Sequence, residues 1–151
     1  MKLGELPGRV AAGGYILHSG LDKWQADEAT ASALHGFAST AYPVLKDVPP
    51  TRFLRVLAGA EIAIGGGLVV PFVPAAVAGT ALTAFSGALL GLYWRTPALH
   101  KPGSVWPTQQ GIAISKDVWM LGIGLGLLAE SAARRSRRRV GRRRRAGGGT
   151  R

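Results

Sequence analysis

From Ile62 to Trp94 the chain reads IAIGGGLVVPFVPAAVAGTALTAFSGALLGLYW, 33 consecutive residues without Asp, Glu, Lys or Arg. Soluble domains of this size rarely carry such a run, and it is the composition of a segment solvated by hydrocarbon. Drawn as one helix it would be roughly 50 Å long at ~1.5 Å per residue, against a hydrocarbon core of ~30 Å. Pro71-Phe72-Val73-Pro74 therefore divides it into a hairpin. The second arm, from Ala75 to Trp94, is long enough to span unaided. The first arm is long enough only if it begins near Arg52 to Arg55, which carries Glu61 into the membrane and makes Thr51, after Pro49-Pro50, the expected helix cap.

Two weaker apolar segments flank the hairpin. Pro7 to Trp24 contains Arg9, His18, Asp22 and Lys23, and Gly111 to Glu130 contains Lys116 and Asp117. The pattern predicts an all-α integral membrane protein, a four-transmembrane-helix bundle within residues 1–133, with spans at roughly 7–24, 52–70, 75–95 and 111–130. The alternative is a two-span hairpin with surface helices at either end, because the charge-free stretches Val10 to Leu21 and Val118 to Ala129 have only 12 residues each. Glu5, Pro7 and Arg9 interrupt what would be the basic start and apolar core of a cleavable signal, so the first segment is expected to stay as a span.

Between the first two spans, Leu34, Phe37, Ala38, Ala41 and Leu45 follow one helical face, and Pro43 limits its extent. This predicts a short helix on the membrane surface over the bundle mouth. The loop from Thr96 to Gln110, with Pro97, Pro102 and Pro107, reads as an irregular crossing. Small residues recur every four positions at Gly59, Ala63 and Gly67, at Gly79, Thr83, Gly87 and Gly91, and at Gly122 and Gly126, a spacing that lets helices approach closely in lipid.

The formal charge of +11 is concentrated at one end: residues 134–151 hold 10 of the 19 basic residues and none of the 8 acidic ones. The remainder is nearly neutral and about 52% hydrophobic, above the usual ~45–50%. Arg134, Arg135, Arg137, Arg138, Arg139, Arg142, Arg143, Arg144 and Arg145 are expected in a disordered polybasic arm that binds anionic lipid headgroups. No aromatic or base-reading residues accompany them, which argues against nucleic acid as the partner. A cytoplasmic protein partner is the remaining reading of this arm.

So dense a cationic tail resists translocation, which places it in the cytoplasm, and an even number of spans places the amino terminus there too. Lys46 and Lys101 in the outer loops, and Lys23, Arg52, Arg55 and Arg95 at outer helix ends, pull the other way. In this orientation His18, Asp22, Lys23, Arg55, Glu61, Lys116 and Asp117 all fall in the outer half, with Trp24, Trp94 and Trp106 near the same interface. Glu61 is the deepest acid, and its cost at that depth, ~2.5–3.5 kcal/mol on insertion scales, calls for a partner or a wet cavity. Lys116 is the first partner expected, and Arg55 the second. The cluster reads either as a polar pocket for a quinone or lipid headgroup, or as an ion-pair network that fixes helix register.

Having no cysteine, the chain contributes no disulfide, thiolate nucleophile or cysteine-ligated metal. His18 and Asp22 lie one turn apart, but one histidine and one acid do not make a metal site, and no metal is expected. No GxSxG, HExxH or P-loop pattern is present, so no catalytic residues are assigned.

Gly20-Leu21-Asp22-Lys23 at the end of the first span, Glu61 with Gly65 in the second and Lys116-Asp117 opening the fourth resemble the DoxX-like family of small bacterial inner-membrane proteins. Many of its members place His directly before that first Gly, where this chain has Ser19 and carries His18 one position earlier. The resemblance covers roughly residues 8–130 and implies a link to quinones, with Lys23, Glu61, Lys116 and Asp117 as candidate functional residues. It implies a non-catalytic membrane subunit or anchor with a redox protein partner. The alternative is a scaffold or assembly factor whose buried ion pairs are structural.

Overall fold

Prolines punctuate the helices. Pro7 stands in the first turn of α1 (Leu6–Trp24), and Pro43 follows α2 (Glu28–Ala41). Pro50 is the first residue of α3 (Pro50–Val69), and Pro74 caps α4 (Ala75–Arg95). At these starting positions a fixed φ suits the helix and the missing N–H is one that the helix could not have paired. Because Pro49 and Pro50 already start α3, Thr51 lies inside its first turn and is not the cap. The computed structural model describes residues 3–147, with side chains as far as Arg137, and has no strand among them. The chain closes with a four-residue helix, α5 (Ile112–Ser115), and the long α6 (Asp117–Gly147), interrupted between them at Lys116.

The bundle is built from two antiparallel pairs. On the α1–α3 pair, a Cβ at Gly13 would lie 2.8 Å from Leu68 Cβ, and one at Gly65 only 2.5 Å from the Leu17 nitrogen. On the α4–α6 pair, a Cβ at Gly79 would lie 2.9 Å from the Gly124 oxygen, and one at Gly124 2.5 Å from Thr83 Oγ1. Small residues thus set the helix separation, as in bilayer bundles. The expected stripes are only partly the ones used. Gly79 and Thr83 pack as anticipated, but Gly67, Gly87, Gly122 and Gly126 face open space. On α3 the packed face is Leu54, Ala58, Glu61, Gly65 and Leu68, so the Gly59, Ala63, Gly67 series is out of phase with it.

Ala12, Ile16, Leu68, Ala78, Leu82 and Leu127, drawn from α1, α3, α4 and α6, join the pairs into one core. Two stretches, Ala75–Arg95 and Ile112–Arg137, are long and apolar enough to cross a membrane. In α1 the charges are Arg9, Asp22 and Lys23, and in α3 Arg52, Arg55 and Glu61.

The predicted loop helix is present as α2, and it packs on α3 and α4. Asp27 caps it by accepting a hydrogen bond from the Thr30 amide at 2.9 Å. Ala38 and Ala41 of the expected face are buried, Ala31 and Ser39 join them, and Leu34, Phe37 and Leu45 are half-buried. Tyr42 fastens this layer by donating to the Ala88 carbonyl at 2.7 Å.

The carboxy-terminal arm departs from expectation. α6 continues as helix through the arginines to Gly147, since once a helix is nucleated by packing, each further residue adds a backbone hydrogen bond. Expected lipid contacts of Arg138, Arg139, Arg142, Arg143, Arg144 and Arg145 lie outside the described side chains.

Candidate functional site

The close approach at Gly20 creates the first polar cluster. A Cβ there would stand 2.9 Å from Glu61 Cβ, and so α1 and α3 touch nearly backbone to backbone. One turn on, Lys23 Nζ reaches Glu61 Oε2 at 2.9 Å and also donates to Ser19 Oγ at 2.6 Å and to the Ser19 carbonyl at 3.5 Å. Glu61 is buried, and Lys23 is the more open partner. Asp117, buried on the first turn of α6, lies within electrostatic reach of Glu61, and its side chain has no hydrogen bond or ion pair among the described residues. Its support is the amino-terminal end of α6, whose dipole favours a carboxylate.

Of the seven anticipated residues, Lys23 and Glu61 pair directly, Asp117 lies within electrostatic reach of Glu61, and the other four stand apart. Lys116 is exposed, because neighbours on a helix point about 100° apart and Asp117 takes the inward direction. Lys23 replaces it as the partner of Glu61. Arg55 is exposed and lies over the Trp24 ring at 5.2 Å. His18 and Asp22 pair at 3.4 Å on an exposed face of α1, away from the Gly20 contact. Among the described residues no group of three His, Cys, Asp or Glu is placed to hold a metal.

Trp24, Trp94, Trp106 and Trp119 are all exposed at the Lys23 end. His100 stacks on Trp94 with ring centroids 5.7 Å apart, tying the 96–110 loop to α4.

A second cluster, at the opposite end, went unforeseen. Arg9 is fully buried, with Nε donating to the Leu68 carbonyl at 2.7 Å and Nη2 to Gly67 at 2.9 Å and Val70 at 3.1 Å. Its Nη1 donates to Val73 at 3.0 Å. One guanidinium thus satisfies carbonyls at the end of α3 and in the hairpin, among them that of Val70, which also accepts the Val73 amide at 3.4 Å. Glu5 is buried beside it and pairs with both Arg9 and Arg134, and Arg134 also pairs with Glu130. Arg134 is therefore folded against the bundle, not held out in an arm. The available signal was spacing: Glu5 with Arg9, and Glu130 with Arg134, each stand four residues apart on one helical face.

No family model matches this chain, and neither do curated proteins or solved structures.

Proposed function

We propose that the chain is a four-span protein of the bacterial inner membrane, with both termini cytoplasmic, serving as a non-catalytic subunit or anchor of a redox-linked assembly. Four spans are supported by an inside-out distribution of side-chain size. The helix contacts are made largely by Gly and Ala, while Val10, Tyr15 and Leu21 of α1, Val56 and Val69 of α3, and Trp119 and Leu125 of α6 are exposed. The DoxX-like reading is supported by two residues that suggested it, Lys23 and Glu61, pairing directly, with the buried Asp117 within electrostatic reach of Glu61. The arginines beyond Ala133 favour the cytoplasmic side and draw that end to anionic lipid.

The observation that carries the functional reading is the charge balance of the first cluster. Glu61 takes the Lys23 ammonium, and Asp117, buried within electrostatic reach of Glu61, has no ion pair among the described residues, so Asp117 needs a proton or a ligand. The polar head of a quinone fits this donor set in kind: Asp117 when protonated offers an O–H, and the long Lys23 bond to the Ser19 carbonyl is the one a ligand can take. A quinone supplies two-electron, two-proton chemistry, and the chain's own residues bind and orient it. The test is purification in mild detergent with an absorption spectrum and mass analysis of an organic extract, for the wild type, Glu61→Gln and Asp117→Asn. Stoichiometric quinone in the wild type, lost from folded variants, is the expected result, and an empty wild type overturns it.

A scaffold role is the second reading, favoured by one feature. Lys23 already has three oxygens around its three protons, as a purely structural pair requires.

A further inference from the structure

The chain folds as two halves joined at the hairpin. In the first, α1 packs chiefly on α3, and in the second α4 packs chiefly on α6, each pair brought close at its glycines. Across the halves, no described glycine meets the backbone of the other half. The helices of the two halves meet instead through side chains, Ile16 and Leu68 with Leu82 and Leu127, and Ile123 against α1 at Gly8.

Polar fastenings between the halves are unequal at the two ends. At the Arg9 end the chain itself connects them through residues 71–74. Arg9 donates there to the carbonyls of Val70 and Val73 on either side of the turn, and the Glu5–Arg134 ion pair ties α6 to the segment before α1. At the Lys23 end, among the described residues, one hydrogen bond crosses, from the Tyr42 hydroxyl to the Ala88 carbonyl at 2.7 Å, with Arg95 over the same ring at 4.9 Å. Tyr42 belongs to the first half, since α2 packs mainly on α3 and His35 meets the Phe53 ring edge-on at 5.5 Å. No ion pair crosses at this end among the described residues. Lys23 and Glu61 pair within the first half, and Asp117 stands on the second half without a partner.

We propose that the molecule is a clamp whose halves pivot about residues 71–74 and part at the Lys23 end, where Tyr42 holds them shut. Because the pivot lies at one end, α4, with 21 residues and about 30 Å long, needs a tilt of only about 10° to move its far end by roughly 5 Å. Parting draws Asp117 away from Lys23 and Glu61 and opens a way between them, so Tyr42 controls entry to the first cluster. That consequence rests on the ligand-binding reading above, while the motion rests on the fastenings.

The test is the rate at which buried cysteines react with N-ethylmaleimide in the full-length protein in mild detergent, the chain having no cysteine of its own. Ser86→Cys, fully buried one turn beyond Leu82, reports parting toward the Lys23 end, and Ala78→Cys, buried on the same helix near the pivot, is the reference. Tyr42→Phe removes the hydroxyl and keeps the ring. Loss of that one hydrogen bond should speed labelling of Ser86→Cys about fivefold and leave Ala78→Cys within about twofold of its rate. Where Ser86→Cys does not fold, Leu92→Cys, buried nearer the Lys23 end, takes its place. No acceleration overturns the clamp, and so does equal acceleration at both positions, which is general loosening. Decylubiquinone separates the clamp from the quinone reading. Acceleration by Tyr42→Phe that decylubiquinone leaves unchanged supports the clamp and counts against the quinone alone, while slowing of Ser86→Cys labelling by decylubiquinone supports both.

Discussion

The Lys23 ammonium stands 2.9 Å from Glu61 Oε2 across an interface where Gly20 brings α1 onto α3. Removing one partner of such a pair strands the other's charge, at a cost of about 3–5 kcal/mol for full burial, and Lys23, with its side chain 21% exposed, moves the expectation toward the lower figure. Glu61→Gln and Lys23→Met should each destabilise the bundle by about that amount, and the double variant should recover most of the loss. Equilibrium unfolding in mixed micelles measures the cycle. Simple additivity of the two losses would show that the residues do not act as a pair.

Arg9 is the more demanding position. Its side chain serves four carbonyls, from Gly67, Leu68, Val70 and Val73, and no other residue type presents donors in that fork. Arg9→Gln should cost at least ~3 kcal/mol, and Arg9→Lys should restore only a part, since an ammonium has three protons and no plane. Hydrogen exchange should report faster opening at the carboxy-terminal turn of α3 and in the hairpin, with α4 and α6 little changed. Protection lost uniformly across the bundle would show that Arg9 does not act locally.

Glycines divide into two classes that one substitution separates. A Cβ at Gly65 meets the Leu17 backbone at 2.5 Å, which only a shift of the helices relieves, whereas Gly67 faces open space. Gly65→Ala should destabilise by at least ~1–3 kcal/mol, the range for overpacking. Gly67→Ala should be neutral or stabilising by up to ~1 kcal/mol through helix propensity. The ordering of their unfolding midpoints decides the point, and equal midpoints would contradict the α1–α3 interface described.

The Asp27 carboxyl is held below the usual carboxylate range by its hydrogen bonds with the Thr30 backbone amide and hydroxyl. A depressed carboxylate contributes stability that is present above its unfolded value and lost as pH falls through the folded one, so the α2 cap should weaken only below about pH 4. Asp27→Asn keeps a good cap and should abolish that acid-range change, while Asp27→Ala should fray α2 at all pH values. Backbone amide signals of residues 28–31 over a titration from about pH 6 to about pH 2.5, which brackets the ordinary carboxylate range, are the measurement.

The hairpin and the helix over 75–95 were legible because prolines and an uninterrupted apolar run leave little choice of local structure. Register was not. The series Gly59, Ala63, Gly67 and the packed series Ala58, Glu61, Gly65 differ by one or two positions, and both have helical spacing. Only the partner helix decides between them, and no local propensity contains it. The same holds for Glu61, whose partner came from α1 and not from Lys116. Arg9 was visible as a charge in an apolar segment, but its role depends on where the hairpin returns α3, a relation between residues about 60 positions apart. The helical course of residues 134–147 was obscured by their charge, which predicts repulsion when the segment is considered without the helix it extends.

The chain has no cysteine, so single cysteines report sidedness without background. Phe72→Cys in the hairpin and Ser136→Cys on α6 should react with an impermeant maleimide from one face of right-side-out or inverted vesicles, and Ser104→Cys in the 96–110 loop from the other. These three follow if α4 and α6 cross, and they do not distinguish two spans from four. Ala29→Cys, exposed at the start of α2, does. If α1 and α3 also cross, residue 29 shares a side with residue 104; if they lie on the surface, it shares a side with residue 72. Labelling with Ser104→Cys is the expected outcome, because it lets the exposed Val10, Leu21 and Val56 meet lipid and keeps Lys23 and Glu61 at the depth of Asp117. Labelling with Phe72→Cys would reduce the membrane domain to the α4–α6 pair.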